Sequence, residues 1–130
     1  MTINFNSNEI TNIIDIIFQL ETQRKVVKVL IEYLKNKKYV SKKEISHFAD
    51  LLNTGKLNLL GNEYYEIKNK IKFNIKELKY NRKQFYSRIL KVMINMGLVN
   101  LGLYDKKYRL SIEFIDNMNK ICDLWKKELE

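Results

Sequence analysis

The sequence has no proline and only four glycines, one cysteine and one histidine. Because proline and glycine are the residues that most often interrupt helices, their scarcity favours long helices separated by few breaks. The single cysteine, Cys122, excludes an internal disulfide framework and suits a reducing compartment. Cys122 and His47 together cannot supply the four ligands of a structural zinc site, so no metal and no other cofactor is expected.

Motifs of catalysis are missing as well. The chain contains no glycine-rich phosphate loop, no nucleophile elbow and no paired-carboxylate motif. His47 stands beside Phe48 in a predicted helix, and we interpret it as a surface or boundary residue rather than a general base. The sequence therefore predicts a protein that is not an enzyme.

Long hydrophobic runs are absent too. No apolar run approaches 18 residues, so no membrane-spanning helix is expected. The first ten residues lack the basic region and cleavage site of a signal peptide, which predicts a cytoplasmic protein. A length of 130 residues with 45% hydrophobic content predicts a single folded domain.

Positive charge is the most pronounced feature that is present. The formal net charge is +9, and residues 68–91 hold nine basic residues against one acid, Glu77, a local sum of +8. Such a balance points to a polyanionic partner, nucleic acid before a membrane surface. Lysine outnumbers arginine 20 to 4, however, so part of the charge reflects a general preference for lysine at the surface.

A helix is predicted over Asn81–Met96, with Asn81 as its N-cap and Gly97 as its stop. At about 100° per residue its apolar side chains fall on one inner face. That face comprises Phe85, Ile89, Val92, Met93 and Met96, with Leu90 and Ile94 on its flank. The opposite face is polar and contains no acid: Gln84, Ser87, Arg88, Lys91 and Asn95. An ordinary solvated face would have the same periodicity, but these side chains are types that contact base edges and phosphates.

Two short apolar runs follow Gly97, at 98–103 and 108–110, and are joined through Asp105, Lys106 and Lys107. This pattern predicts a β-hairpin with a basic tip. Upstream, a first helix is predicted from Ser7 and a second from about Thr22 to Lys35. A short strand near Val40 should lead into a third helix, because Ser41 and Glu44 form the pattern of a capping box.

Residues 53–80 allow three interpretations. Helical spacing of apolar residues favours an extra helix over roughly 63–79. Alternation at 71–75 would also suit a strand, and 75–80 would also suit a short helix preceding the helix at 81–96. The sequence alone leaves these alternatives open.

The last segment, 111–130, predicts a helix that begins at Ser111 and bears a heptad-like apolar stripe. The stripe comprises Ile115, Met118, Cys122, Trp125 and Leu129. It suits either packing on the chain's own core or a subunit interface, to which Ile10, Ile13 and Ile17 of the first helix would add. Both termini are acidic and apolar while the middle is cationic, which favours the interface.

The order of helix, short strand, helix, basic helix, hairpin and long helix resembles the winged helix-turn-helix regulators. MarR-like and related archaeal or viral transcription factors are similar in layout, and the match rests mainly on Gly97-Leu98-Val99 and Tyr108-Arg109-Leu110-Ser111. The resemblance covers roughly 22–130, and the insertion at 53–80 departs from it. It implies a mainly α-helical fold with a small β-hairpin, extra N-terminal (1–21) and C-terminal (111–130) helices, and a DNA-binding homodimer.

These observations predict sequence-specific binding of double-stranded DNA and regulation of transcription. The side chains expected at base edges are Gln84, Ser87, Arg88 and Lys91. Those expected at phosphates are Arg82, Lys83, Lys42, Lys43, Lys106, Lys107 and Arg109. Two alternatives remain: a winged-helix module for protein–protein contact, and an RNA or single-strand binder that stacks bases on the tyrosines interleaved with lysines. These tyrosines are Tyr64, Tyr65, Tyr80, Tyr86, Tyr104 and Tyr108.

Overall fold

The structure is a computed structural model that describes residues 12–130. The first three helices are α1 (Ile13–Ile17), α2 (Glu21–Lys37) and α3 (Lys42–Thr54). Helix α4 (Glu63–Lys70) lies between two 3₁₀ turns, Leu57–Leu59 and Ile75–Glu77. Helix α5 consists of three consecutive segments, Arg82–Gln84, Phe85–Leu90 and Lys91–Met96, and helix α6 is Glu113–Glu128. The described chain is therefore mainly helical.

Three short strands form one antiparallel sheet: β1 (Val40–Ser41), β2 (Val99–Leu101) and β3 (Lys107–Leu110). The spatial order is β1-β3-β2, so the strand before α3 pairs with the second strand of the hairpin. Ser41 lies opposite Lys107, which brings the start of α3 to the end of the sheet nearest the hairpin tip. The predicted short strand and hairpin are confirmed, and this arrangement is compatible with a winged helix.

The core lies between α2, α3 and α5. Helix α2 buries an apolar stripe that runs from Val26 to Leu34, and Phe48 of α3 stacks on Tyr33 with ring centroids 5.3 Å apart. Phe48 also contacts Phe85 of α5 at 5.6 Å. Burying each such aromatic ring stabilises the fold by about 2–3 kcal/mol, so this cluster fixes α5 relative to α2 and α3.

The start of α3 confirms the predicted capping box. The Ser41 hydroxyl accepts a hydrogen bond from the Glu44 N–H at 3.1 Å, and the Glu44 carboxylate accepts one from the Ser41 N–H at 3.2 Å. Two amide groups that would otherwise lack partners are thereby satisfied. Gly55, in the left-handed conformation with φ 73°, ends the helix.

The insertion is only partly helical, so the predicted helix over 63–79 is wrong beyond Lys70. The strand predicted as an alternative at 71–75 is not formed, and 75–80 contains only the turn Ile75–Glu77. The Asn74 side chain accepts a hydrogen bond from the Lys76 N–H at 3.0 Å, which offers the backbone a partner outside a helix. Ile67, Ile75 and Leu78 are nevertheless buried, so the apolar pattern is satisfied without a continuous helix.

Helix α5 begins and ends as predicted, but its interior differs. The Asn81 side chain accepts a hydrogen bond from the Gln84 N–H at 3.0 Å, and Gly97 stops the helix with φ 86°. Its middle segment is a π-helix. A π turn holds more residues than an α turn, so the positions that follow are rotated relative to an α-helical projection. Leu90, predicted on the flank, is consequently buried, whereas Val92 is only half-buried.

The N-terminal helix is shorter than predicted in the described chain. Helix α1 begins at Ile13, where the Asn12 side chain caps it, and it ends at Ile17. Ser7 and Ile10, the predicted start and an expected interface residue, lie outside the described residues. Leu20, expected on the same apolar stripe, is exposed because the helix has already ended.

Helix α6 leaves the core. None of its residues is buried, and the alternative in which it packs along the chain's own core is wrong. Its first turn is attached through the Phe114 N–H, which donates to the Gly97 carbonyl at 3.0 Å, and the Asn117 amide, which donates to the Met96 carbonyl at 3.1 Å. Between residues 12 and 130, the chain forms no helix with the length and apolar character needed to cross a membrane.

Candidate nucleic-acid interface

The outer face of α5 presents basic side chains to solvent. Arg88 and Lys91 are exposed, and within residues 12–130 neither forms a hydrogen bond or an ion pair. Gln84 is half-buried, and the exposed Ser87 donates its hydroxyl hydrogen to the Lys83 carbonyl at 3.1 Å. Arg88 and Lys91 are therefore the two side chains of this face best placed to meet an external acceptor.

The π-helical segment coincides with this face. Within it, Ser87 and Arg88 are exposed, while Phe85 and Ile89 are buried in the core. π turns are rare and occur frequently at functional sites. No local sequence pattern predicted this turn; Phe85, whose ring contacts Phe48 of α3, and Leu90 are both buried within it.

Arg82, expected at a phosphate, is engaged within the chain. Its guanidinium donates to the Ser46 carbonyl at 2.9 Å and pairs with the Asp50 carboxylate at 2.6 Å. It also lies over the Tyr86 ring, 5.3 Å from the centroid. Its contacts tie the start of α5 to α3 and so fix the angle between these two helices.

The remaining basic residues near the hairpin are gathered at one end of the sheet. Lys42 and Lys43 are exposed on the first turn of α3, directly after Ser41, which lies opposite Lys107. The Lys107 ammonium lies 4.3 Å from the centroid of the half-exposed Tyr39 ring. The structure thus brings together lysines that stand more than 60 positions apart in the sequence.

The hairpin tip is organised around one acid. The Asp105 carboxylate accepts a hydrogen bond from the Lys107 N–H at 3.1 Å and pairs with the Arg109 guanidinium. These two contacts, the backbone hydrogen bond first, lower the pKa of Asp105. Arg109, expected at a phosphate, is thus occupied by Asp105, whereas Lys106 is exposed and adopts a left-handed backbone conformation with φ 57°.

One part of the surrounding surface was not predicted. A groove of about 470 Å³ separates Ser87 and Arg88 from the connection between α1 and α2. Its opposite wall includes Phe18, Leu20 and Gln23. Residues near 20 were expected to lie on an apolar helical stripe, so nothing in the sequence placed them beside the outer face of α5.

The tyrosines interleaved with lysines divide into two groups. Tyr65 and Tyr104 are exposed. The others are half-buried or buried, and they are Tyr64, Tyr80, Tyr86 and Tyr108. Of these six tyrosines, Tyr65 and Tyr104 therefore present the most exposed rings on which a base could stack.

The residues expected at a subunit interface differ in how far they are buried within the chain. Ile17 packs in the chain's own core, so its assignment to an interface is wrong. Ile13 is partly exposed beside α2. On α6 the stripe is open to solvent: Met118 is half-buried, and the exposed members are Ile115, Cys122, Trp125 and Leu129.

In the part of the chain that the structure describes, no group of three or more His, Cys, Asp or Glu side chains is placed to hold a metal ion. His47 is exposed near the Lys37–Glu44 ion pair, in which Lys37 lowers the pKa of Glu44 by donating a hydrogen bond to it. Comparison of the chain with protein-family models, curated proteins and solved structures finds no match in any of the three. Function must therefore be inferred from geometry and charge.

Proposed function

We propose that the protein is a winged-helix regulator that binds double-stranded DNA in a sequence-dependent manner as a homodimer. Helix α5 enters the major groove, and the β2–β3 hairpin acts as the wing that lies against the adjacent DNA. The observation that carries this proposal is that Arg88 and Lys91 are exposed and have no partner among residues 12–130. They lie on the outward side of a helix that Arg82 ties to α3. The strand order β1-β3-β2, with α3 and α5 beside it, supports the assignment of the hairpin as a wing.

The basic residues take two roles in this arrangement. Arg88 and Lys91, with Gln84 and Ser87 beside them, contact base edges in the major groove. Five lysines contact phosphates on either side of that groove. These are Lys42, Lys43, Lys83, Lys106 and Lys107. Arg82 and Arg109 instead hold the helix and the wing tip in position through Asp50 and Asp105.

Helix α6 provides the homodimer contact. Its apolar stripe is exposed, with Trp125 63% accessible, and a second copy of the same helix would cover it. The first turn of α6 holds Glu113 and Asp116, and the last turn holds Lys126 and Lys127. An antiparallel pair sets the acidic start of one helix beside the basic end of the other and opposes their macrodipoles, whereas a parallel pair would juxtapose like charges.

The test compares two duplexes of equal length, one enriched from a random library by the protein and one of random sequence. Arg88→Ala should weaken binding to the enriched duplex by roughly 1–3 kcal/mol and have a much smaller effect on the random duplex. The matched control, Lys106→Ala with Lys107→Ala, should weaken binding to both duplexes about equally, because phosphates are present in every sequence. Fluorescence anisotropy at fixed salt measures all four combinations.

Two results would contradict the proposal. If Arg88→Ala leaves the preference between the duplexes unchanged, α5 is not the element that reads sequence. If single strands bind more tightly than either duplex, the protein is a single-strand or RNA binder, and the exposed Tyr65 and Tyr104 become the residues to examine.

A further inference from the structure

The tip of the β2–β3 hairpin projects two large side chains into solvent. Tyr104 is 99% exposed and Leu103 is 78% exposed, which makes Tyr104 the most exposed of the large hydrophobic residues in the described chain. Both side chains follow Gly102 and stand directly between the two strands of the hairpin. A single exposed apolar residue is ordinary on a protein surface. Two adjacent large apolar side chains at the end of a projecting hairpin, however, could insert together into the surface of a partner.

The tip is held rigidly by backbone hydrogen bonds. The Gly102 N–H donates to the Lys107 carbonyl at 3.0 Å, and the Lys106 N–H donates to the Gly102 carbonyl at 3.2 Å. The left-handed conformation of Lys106 closes the loop. Asp105 folds back across Gly102, where any Cβ would clash with its carboxylate. The conformation that presents Leu103 and Tyr104 is therefore formed before any partner binds.

Charge around the tip favours a polyanion. The one acid, Asp105, is paired with Arg109, so its negative charge is balanced within the hairpin. Lys106 is exposed beside Tyr104, and Lys107 lies one residue further on. An apolar wedge flanked by cations suits the floor of a DNA groove, where phosphates line both edges and the base stack forms the apolar interior.

We infer that the wing tip is a wedge: Leu103 and Tyr104 insert into the minor groove beside the site read by α5, partly unstack one base step and kink the duplex. This inference rests on the proposed DNA binding. It assigns Leu103 and Tyr104 a role different from that of the phosphate-contacting lysines around them. It also gives the wing a preference of its own, because the energy needed to open a base step depends on sequence.

The preference has a defined direction. Steps from thymine to adenine are flexible and easily unstacked, whereas uninterrupted adenine tracts are stiff. The test therefore uses two duplexes with identical GC-rich ends. In one, the central block alternates dT and dA along each strand; in the other, one strand of the block is uninterrupted dA and its complement is dT. They match in length, charge and base composition and differ only in the deformability of the block.

Two measurements are made on the bound duplexes at low salt, where the protein's positive charge should make it bind any duplex. Energy transfer between dyes at the two ends reports bending, and permanganate oxidation of thymines reports unstacking. The full-length protein should bend the alternating duplex, make thymines in its central block reactive, and bind it about tenfold more tightly than the adenine-tract duplex.

Matched variants isolate the wedge. Leu103→Ala with Tyr104→Ala should abolish the bend, the thymine reactivity and the difference between duplexes, while Tyr104→Phe should retain all three because the ring is kept. Tyr65→Ala, which removes a tyrosine that is 70% exposed on α4, should behave like the unaltered protein. All these side chains are exposed, and circular dichroism verifies that each variant is folded.

The outcomes separate this inference from the proposed function. If the protein binds both duplexes without bending or unstacking either, or if the double alanine variant bends DNA as well as the unaltered protein, the wedge is wrong while DNA binding stands. If neither duplex is bound at low salt, DNA binding itself is wrong, and the wedge with it.

Discussion

Some side chains of this protein hold its helices together, whereas others are left free to contact a partner. Arg82 and Arg88 stand six positions apart in one helix and have the same chemistry. Arg82 is bound by Ser46 and Asp50, whereas Arg88 has no partner within the described residues. Their different environments, rather than their residue type, determine which of them is available to an external partner.

The contrast between the two arginines gives a prediction about stability. Arg82→Gln removes the hydrogen bonds to Ser46 and the ion pair with Asp50, and should lower the free energy of unfolding by about 1–2 kcal/mol. Arg88→Gln removes no contact within the described chain and should change it by less than about 0.5 kcal/mol. Urea unfolding, monitored by circular dichroism, measures the free energy of unfolding of both variants. Equal losses of stability would contradict the inference that Arg82 holds α5 against α3.

The capping box allows a prediction about pH. Lys37 donates a hydrogen bond to Glu44 and lowers its pKa, so the charged pair stabilises the fold above the unfolded pKa of about 4.5 and loses that contribution as pH falls through the lower folded value. Glu44→Gln keeps a side chain able to accept from the Ser41 N–H but loses the ion pair. Because both partners are partly exposed, the unaltered protein should be more stable than Glu44→Gln by less than about 1 kcal/mol at pH 6, and this difference should be smaller at pH 3.

Urea unfolding of the unaltered protein and of Glu44→Gln at both pH values measures this difference. Ser41→Ala is the comparison, since it removes the cap itself and should cost about 1 kcal/mol at either pH. A difference for Glu44→Gln that grows toward low pH would show that the ion pair is not its source.

At the scale of elements, the junction after α5 determines where the hairpin and α6 lie. Gly97 has φ 86°, and a Cβ at this position would lie 2.7 Å from the Phe114 nitrogen. Gly97→Ala therefore combines backbone strain with a steric clash and should cost more than about 1 kcal/mol. Thermal unfolding measures the loss. Gly61→Ala, which meets only the end of the flexible Glu63 side chain at another left-handed position, is the matched control and should cost less.

Helix α6 carries the prediction about assembly. If α6 forms the proposed dimer, Trp125→Ser should give a monomer whose own free energy of unfolding is unchanged, because Trp125 is not buried within the chain. Leu124→Ser is the matched control: Leu124 is 61% exposed but points about 100° away from Trp125 around the helix axis. Sedimentation equilibrium at tens of micromolar protein measures the oligomeric state of each variant. If the unaltered protein is monomeric at that concentration, the proposed α6 interface is wrong.

For the whole molecule, the charge pattern predicts how binding depends on salt. Five lysines per protomer are proposed at phosphates, so a dimer makes about ten such contacts and log K should fall against log salt with a slope of about 9. The monomeric Trp125→Ser variant should show about half that slope. A slope that is unchanged between dimer and monomer would mean that only one protomer contacts the duplex.

The sequence by itself determined the features that depend on neighbouring residues. The capping box at Ser41, the cap at Asn81, the stop at Gly97 and the hairpin around Asp105 were all predicted and are confirmed. Each is decided by hydrogen bonds or backbone conformations within a few positions, so the local pattern contains the information needed. The cationic outer face of α5 follows equally from helical periodicity.

Only the tertiary structure decided what depends on residues far apart in the chain. The π turn in α5 and the end of α4 at Lys70 were not predicted from the sequence, and both segments bury apolar side chains, Phe85 and Ile67, in the shared core. Asp50 removes Arg82 from the free surface across 32 positions, and this contact exists only once α3 and α5 have packed together. The stripe on α6 had the same periodicity whether it faced the core or solvent, and its exposure became evident only from where the Gly97 junction directs the helix.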